Sequence, residues 1–159
     1  MKYNKKLLLA TLSELPNIIE MYVSNIPVEV IDIKRTSTAW TIREHIYHIV
    51  SVQQLLYERI DYIRTSEKAI ITPFFPENQV DTNQRYKNLD AAFNEYKALR
   101  KRQITLLKKL STKDFLKEAE HGEYTQYNIP IVLNHMISHE YWHMYRIEEL
   151  WITNHPSRQ

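Results

Sequence analysis

One glycine, Gly122, in 159 residues is the strongest constraint on what this chain can fold into. Average usage, about 7% glycine, would supply roughly a dozen. Tight hairpins and strand bulges draw on glycine because it alone enters left-handed backbone without a Cβ clash. A chain almost without it is a poor candidate for a turn-rich all-β fold and a good one for long helices with few connections. The length suits one domain with a core of its own.

Hydrophobic spacing supports an all-α chain of four main helices. Leu8, Leu12, Leu15, Ile19, Tyr22 and Val23 recur at helical intervals, which predicts a first helix over about 3–24. Pro16 falls inside it, so a kink or break is expected there. Thr41 and Glu44 form a capping box that starts a second helix, whose isoleucine face runs to about Arg64. Residues 65–85 form a long connection, and in an antiparallel bundle such a length suggests a crossover or a lid. Its Phe74 and Phe75, between Pro73 and Pro76, should cover either the core or the mouth of a pocket. A third helix spans about 89–110. Thr112 then caps a short turn, and the loop holding Gly122 leads to Pro130 in the first turn of a last helix ending near Trp151. The expected domain is 1–153, with 154–159 as a tail.

The chain has no cysteine, which removes a disulfide framework, thiolate ligands and a cysteine nucleophile. A net charge of +2 is too small to imply nucleic acid. The basic run from Arg100 to Lys109 reads as a solvated helix face. No apolar run approaches the roughly twenty residues that span a bilayer. The N-terminal LLLA stretch is too short for a signal peptide, and a cytoplasmic setting is expected.

Five of the seven histidines lie on the second and last helices: His45, His48, His135, His139 and His143. His139 and His143 are one turn apart and about 40° round, so both can reach one ion. His135 and His143 are about 12 Å apart along the axis, too far for a single metal. His143 borders the apolar stripe most closely, which favours the 139/143 pair. Spacing does not choose between His45 and His48 as a third ligand, and His121 and His155 are weaker candidates. Three neutral imidazoles suit one divalent ion: zinc, nickel or ferrous iron. Glu140 projects into the middle of the apolar stripe. It is expected either to pair with an arginine across the bundle, to support a ligand, or to act as general base. His139, Glu140 and His143 spell H-E-x-x-H, but Arg146 and Glu149 stand where an extended zinc-protease motif needs glycine and histidine. The protease reading is rejected.

The segment Trp40-Thr41-Ile42-Arg43-Glu44-His45-Ile46-Tyr47-His48 resembles the W-S/T-x-x-E-h-x-x-H start of the second helix in the DinB-like (YfiT-like) metalloproteins. Their H-x-x-x-H pair is similar to His139 and His143, and the glycine-containing approach to the last helix matches too. The resemblance implies a four-helix bundle with the metal at one end and the ligands His48, His139 and His143. It leaves His45 outside the ligand set. It also implies a homodimer acting on a small molecule, with no membrane or nucleic-acid partner. Where many members carry glutamine this chain has Arg146, which would alter the charge preference for a substrate or thiol.

Better-understood relatives of this kind join a low-molecular-weight thiol, such as bacillithiol, to an electrophile. A metal with an open position favours the thiolate, the reactive form. The expected function is therefore metal-dependent thiol S-transfer. A hydrolase using water on the metal with Glu140 as base, or a non-catalytic metal-binding bundle, are the alternatives.

Overall fold

The computed structural model describes residues 3–73 and 85–153. Phe74, Phe75 and Pro76 of the connection and His155 of the tail lie outside the described residues. The main helices are α1 (Lys5–Ser24), α2 (Ile42–Thr65), α3 (Leu89–Lys109) and α5 (Ile129–Ile152), with a short α4 (Thr112–Phe115) and a 3-10 turn at Val28–Val30. Two strands, β1 (Ile70–Ile71) and β2 (Glu120–His121), pair in parallel. No described helix is long and apolar enough to cross a membrane.

Every helix begins at a side-chain cap, which satisfies an amide that the first turn leaves without a partner. Asn4, Asn88 and Asn128 accept from Leu7, Ala91 and Ile131. At α2 the capping box is complete. The Thr41 hydroxyl accepts from the Glu44 amide at 3.1 Å, and the Glu44 carboxylate accepts from the Thr41 amide at 2.6 Å. The cap of α4 is Ser111, not Thr112. Ser111 Oγ accepts from the Asp114 amide, and Thr112 becomes the first helical residue.

The helix α1 runs through Pro16 without a break. An interior proline costs about 3 kcal/mol. Leu12, Leu15, Ile19 and Val23 are buried on either side of it, and full burial of such a side chain returns about 1.5–3 kcal/mol each. Packing outweighs the local preference.

The buried apolar residues form two clusters. One holds Leu12 and Leu15 of α1, Ile60 and Ile63 of α2, Ile104 and Leu107 of α3, and Val132, Leu133 and Met136 of α5. The other holds Ile19 and Val23 of α1, Ile42, Ile46 and Ile49 of α2, Phe93 and Tyr96 of α3, and Ile147 with Leu150 of α5. Hence α1 and α5 run one way and α2 and α3 the other. Ser66 and Asn88 stand at opposite ends of the bundle, so the connection between them is a crossover, as its length suggested. Both α1 and α2 pack on α3 and α5, which puts the consecutive helices α1 and α2 on a diagonal. The β1–β2 pair clips the start of the crossover to the loop before α5. Its Glu120 amide donates to the Ala69 carbonyl at 2.8 Å. Gly122 has no positive φ, and a Cβ there would meet Pro73 at an ordinary 3.6 Å.

Candidate metal centre

Two helices supply the site because the antiparallel seam of α2 and α5 sets His48 opposite His139 and His143. The His48 and His139 Nε2 atoms are 3.1 Å apart, and so are those of His139 and His143. One ligand atom from each of the three lies within 4.8 Å of the others. Ligands about 2.05 Å from a tetrahedral ion stand about 3.3 Å apart. One proton on His139 Nε2 can serve only one of its two close neighbours. Three lone pairs directed at one point account for both spacings.

The rings are held neutral. Burial pushes His48 and His139 down to about 4 from the usual 6.5, with the His48 charge adding to the effect on His139. Burial, then the neighbouring imidazoles of His139, His45 and His48, push His143 lower still. At neutral pH all three keep the free nitrogen that a divalent metal requires. The donor set fits such an ion without any thiolate or carboxylate.

His45 does not join the triad through this point. Its Nδ1 lies 2.8 Å from the Nδ1 of His143, on the far side of that ring from the cluster of Nε2 atoms. With Nε2 of His143 kept for a metal, its proton sits on Nδ1 and is donated to His45. His45 then accepts and carries its own proton on Nε2. Burial, followed by the Arg146 charge, lowers His45 to about 4. Sequence reasoning left His45 without a role. The signal was its place one turn before His48, on the face that meets α5. Trp40 covers these rings, stacked on His143 at 6.0 Å and 5.0 Å from His48.

Glu140 is fully buried and faces away from the triad. Its carboxylate ion-pairs with Arg100 of α3. It also accepts from Gln53 at 3.0 Å and from the Tyr96 hydroxyl at 2.6 Å. Burial and the Glu140 charge raise Tyr96 well above its usual value, so it remains a donor. Of the expectations for Glu140, the structure shows the pairing with an arginine across the bundle, and both carboxylate oxygens have partners in this layer. It corrects the reading of Arg100, which leaves the solvated basic face and turns inward. Gln103 joins through Gln53, and this polar layer separates the two apolar clusters. The histidines sit beside that layer, near the middle of α5, rather than at an end of the bundle as the resemblance implied.

Arg146 ion-pairs with Glu149 and lies over the Trp142 ring at 6.0 Å, on the flank of the site. His135 and His121 lie apart from the triad in an aromatic group with Tyr124 and Tyr127. A cavity of about 240 Å³ joins the two regions, with His48 and His139 in its wall.

The sequence profile of the DinB superfamily matches residues 11–147. The chain belongs to the DinB superfamily. One solved member of similar fold is YfiT from Bacillus subtilis, described as a probable metal-dependent hydrolase with an unusual four-helix bundle topology. It superposes with a TM-score of 0.79 at 20% identity, covering 94% of this chain and 87% of YfiT. A second relative, from Oceanobacillus iheyensis, carries the provisional name of a metal-dependent hydrolase. It is 25% identical over 112 residues, which are 70% of this chain and 65% of the relative. The diagonal placement of α1 and α2 and the α2–α3 crossover are thus the topology of this DinB-superfamily bundle.

Proposed function

We propose that His48, His139 and His143 hold one divalent ion, zinc, nickel or ferrous iron, and that the protein transfers a low-molecular-weight thiol to an electrophile. The convergence of three neutral imidazoles, with His48 and His139 in the wall of a small cavity, carries this reading. The three histidines would hold the ion, which would supply a nucleophile at neutral pH by lowering the pKa of bound water or thiol. Thiol chemistry needs least from the surrounding side chains. A thiol ionises near 8.5, while water starts near 15.7 and commonly draws on a base as well. The one carboxylate on the ligand-bearing turn, Glu140, is committed to Arg100. In the transfer an S–C bond forms, the bond to the leaving group breaks, and the thiol proton passes to water.

The names of the two relatives favour a second reading, metal-dependent hydrolysis. Elemental analysis of protein purified without a histidine tag reads the metal. Bacillithiol with monochlorobimane, with and without chelator, then tests transfer, and a panel of esters and amides tests hydrolysis. Chelator-sensitive conjugation is the expected result. Turnover of an ester with none of the thiol pair would overturn transfer and leave hydrolysis. A bound metal without either activity would leave a non-catalytic bundle.

A further inference from the structure

The cavity beside the triad has chemically different ends. At one end stand His48 and His139. Val52, Leu55, Leu56 and Met136 make its apolar walls. At the other end stand Arg59 and His135. The α2 contributors are spaced 4, 3, 1 and 3 residues apart, a single face of the helix. From His48 to Arg59 the backbone rises about 16 Å. At about 240 Å³ the space falls just under the 300–1,000 Å³ of drug-sized ligand sites, so its occupant is small and narrow.

Arg59 is unusual in this setting. Two of its N–H groups are committed, one to the Tyr127 hydroxyl at 3.3 Å and one to the Thr72 carbonyl at 3.1 Å. Both acceptors are neutral. Among the described residues no carboxylate forms an ion pair with it, whereas the buried Arg100 has Glu140. A half-buried guanidinium at the end of an apolar cavity keeps its full charge and part of its donor fork. Its field reaches both His121 and His135: it favours the neutral ring of His121 after burial, and that of His135 after burial and the His121 charge. Two neutral acceptors hold the fork in place without cancelling it. A carboxylate is the partner that such a planar donor suits.

We propose that the cavity takes an elongated substrate with an apolar body and a terminal carboxylate, received by Arg59, while the reacting end lies at His48 and His139. This inference rests on the metal-centre reading for its reacting end only. The carboxylate end stands on Arg59 alone.

Two pairs of probes test it on the metal-loaded protein: 6-mercaptohexanoate against 6-mercaptohexan-1-ol, and hexanoate against hexan-1-ol. Affinities are read by calorimetry. In the wild type each acid should bind about tenfold or more tightly than its alcohol, the share of a charge-assisted hydrogen-bond pair. In Arg59→Gln the preference should vanish with the alcohol affinity unchanged, and Arg59→Lys should keep part of it. A merely structural Arg59 would lower both affinities together and leave no acid preference in the wild type. Equal binding of acid and alcohol by the wild type, which needs no variant, would overturn the proposal. So would an acid preference that survives Arg59→Gln. If elemental analysis finds no metal, the mercapto group should add nothing while hexanoate is still preferred over hexanol. The metal-centre reading would then have failed without this one.

Discussion

At the residue scale the two nitrogens of His143 do separate work: Nε2 faces His139, and Nδ1 faces His45. Loss of a ligand and loss of a ligand's support should therefore look different. His48→Ala, His139→Ala and His143→Ala should each reduce bound metal sharply in elemental analysis, since two imidazoles make a weak site. Full retention in His48→Ala would remove it from the set. His45→Phe keeps the buried volume roughly and removes the acceptor. It should still bind metal at saturation, as expected of a residue outside the ligand set. Its affinity, measured by competition with a chelator, should fall about 10–100-fold. An unchanged affinity would show that the His143 ring is oriented by packing against Trp40 alone.

At the element scale, the polar layer of Glu140, Arg100, Gln53 and Tyr96 is what α2, α3 and α5 share at mid-bundle. Removing one partner of a buried pair strands the other charge and costs about 3–5 kcal/mol. Glu140→Ala should lose stability on that scale in urea unfolding while metal content holds. Adding Arg100→Leu should recover part of the loss, because the stranded cation goes too. The conservative Glu140→Gln separates structure from chemistry. If it kept both stability and metal but lost turnover, a direct role for the carboxylate would return. The legibility of this layer was uneven. Glu140 in the apolar stripe announced a buried charge with an arginine as a possible partner. Arg100 was hidden among Lys101, Arg102, Lys108 and Lys109, because charge counting cannot tell which member of a basic run points inward.

At the scale of the whole molecule, the buried histidines couple stability to pH. In the folded metal-free protein His48 and His139 titrate near 4, against 6.5 when unfolded. Between those values the unfolded chain binds more protons, so acid favours unfolding there. Their contribution is fully present above about pH 6.5 and is lost as pH falls toward 4. The urea midpoint of metal-free protein should drop between pH 7 and pH 5. Metal should hold it up over that range, since metal competes with protons for the same nitrogens. A metal-free midpoint that does not change would mean that these rings are solvated. We also propose a homodimer, supported by Tyr141, Tyr145 and Ile152 exposed along one flank of α5. Light scattering at micromolar concentration should give twice the 19.2 kDa chain mass, and the single mass would count against it.

The sequence by itself determined the local features. Scarce glycine and helical spacing marked the four long helices, Thr41 and Glu44 marked the start of α2, and the four-residue step marked His139 and His143 as a pair. These depend on contacts within a few residues, which pattern reports directly. Tertiary structure decided what depends on neighbours distant in the chain. It kept α1 continuous through Pro16, because side chains on both sides of the proline are buried. It moved the α4 cap to Ser111 and paired β1 with β2, which are too short for any periodicity to register. It also decided which nitrogen of which histidine faces which partner. His45 and His48 lie one turn apart on the same face, and only the register of α5 against α2 directs one to the Nδ1 side of His143 and the other to the cluster of Nε2 atoms.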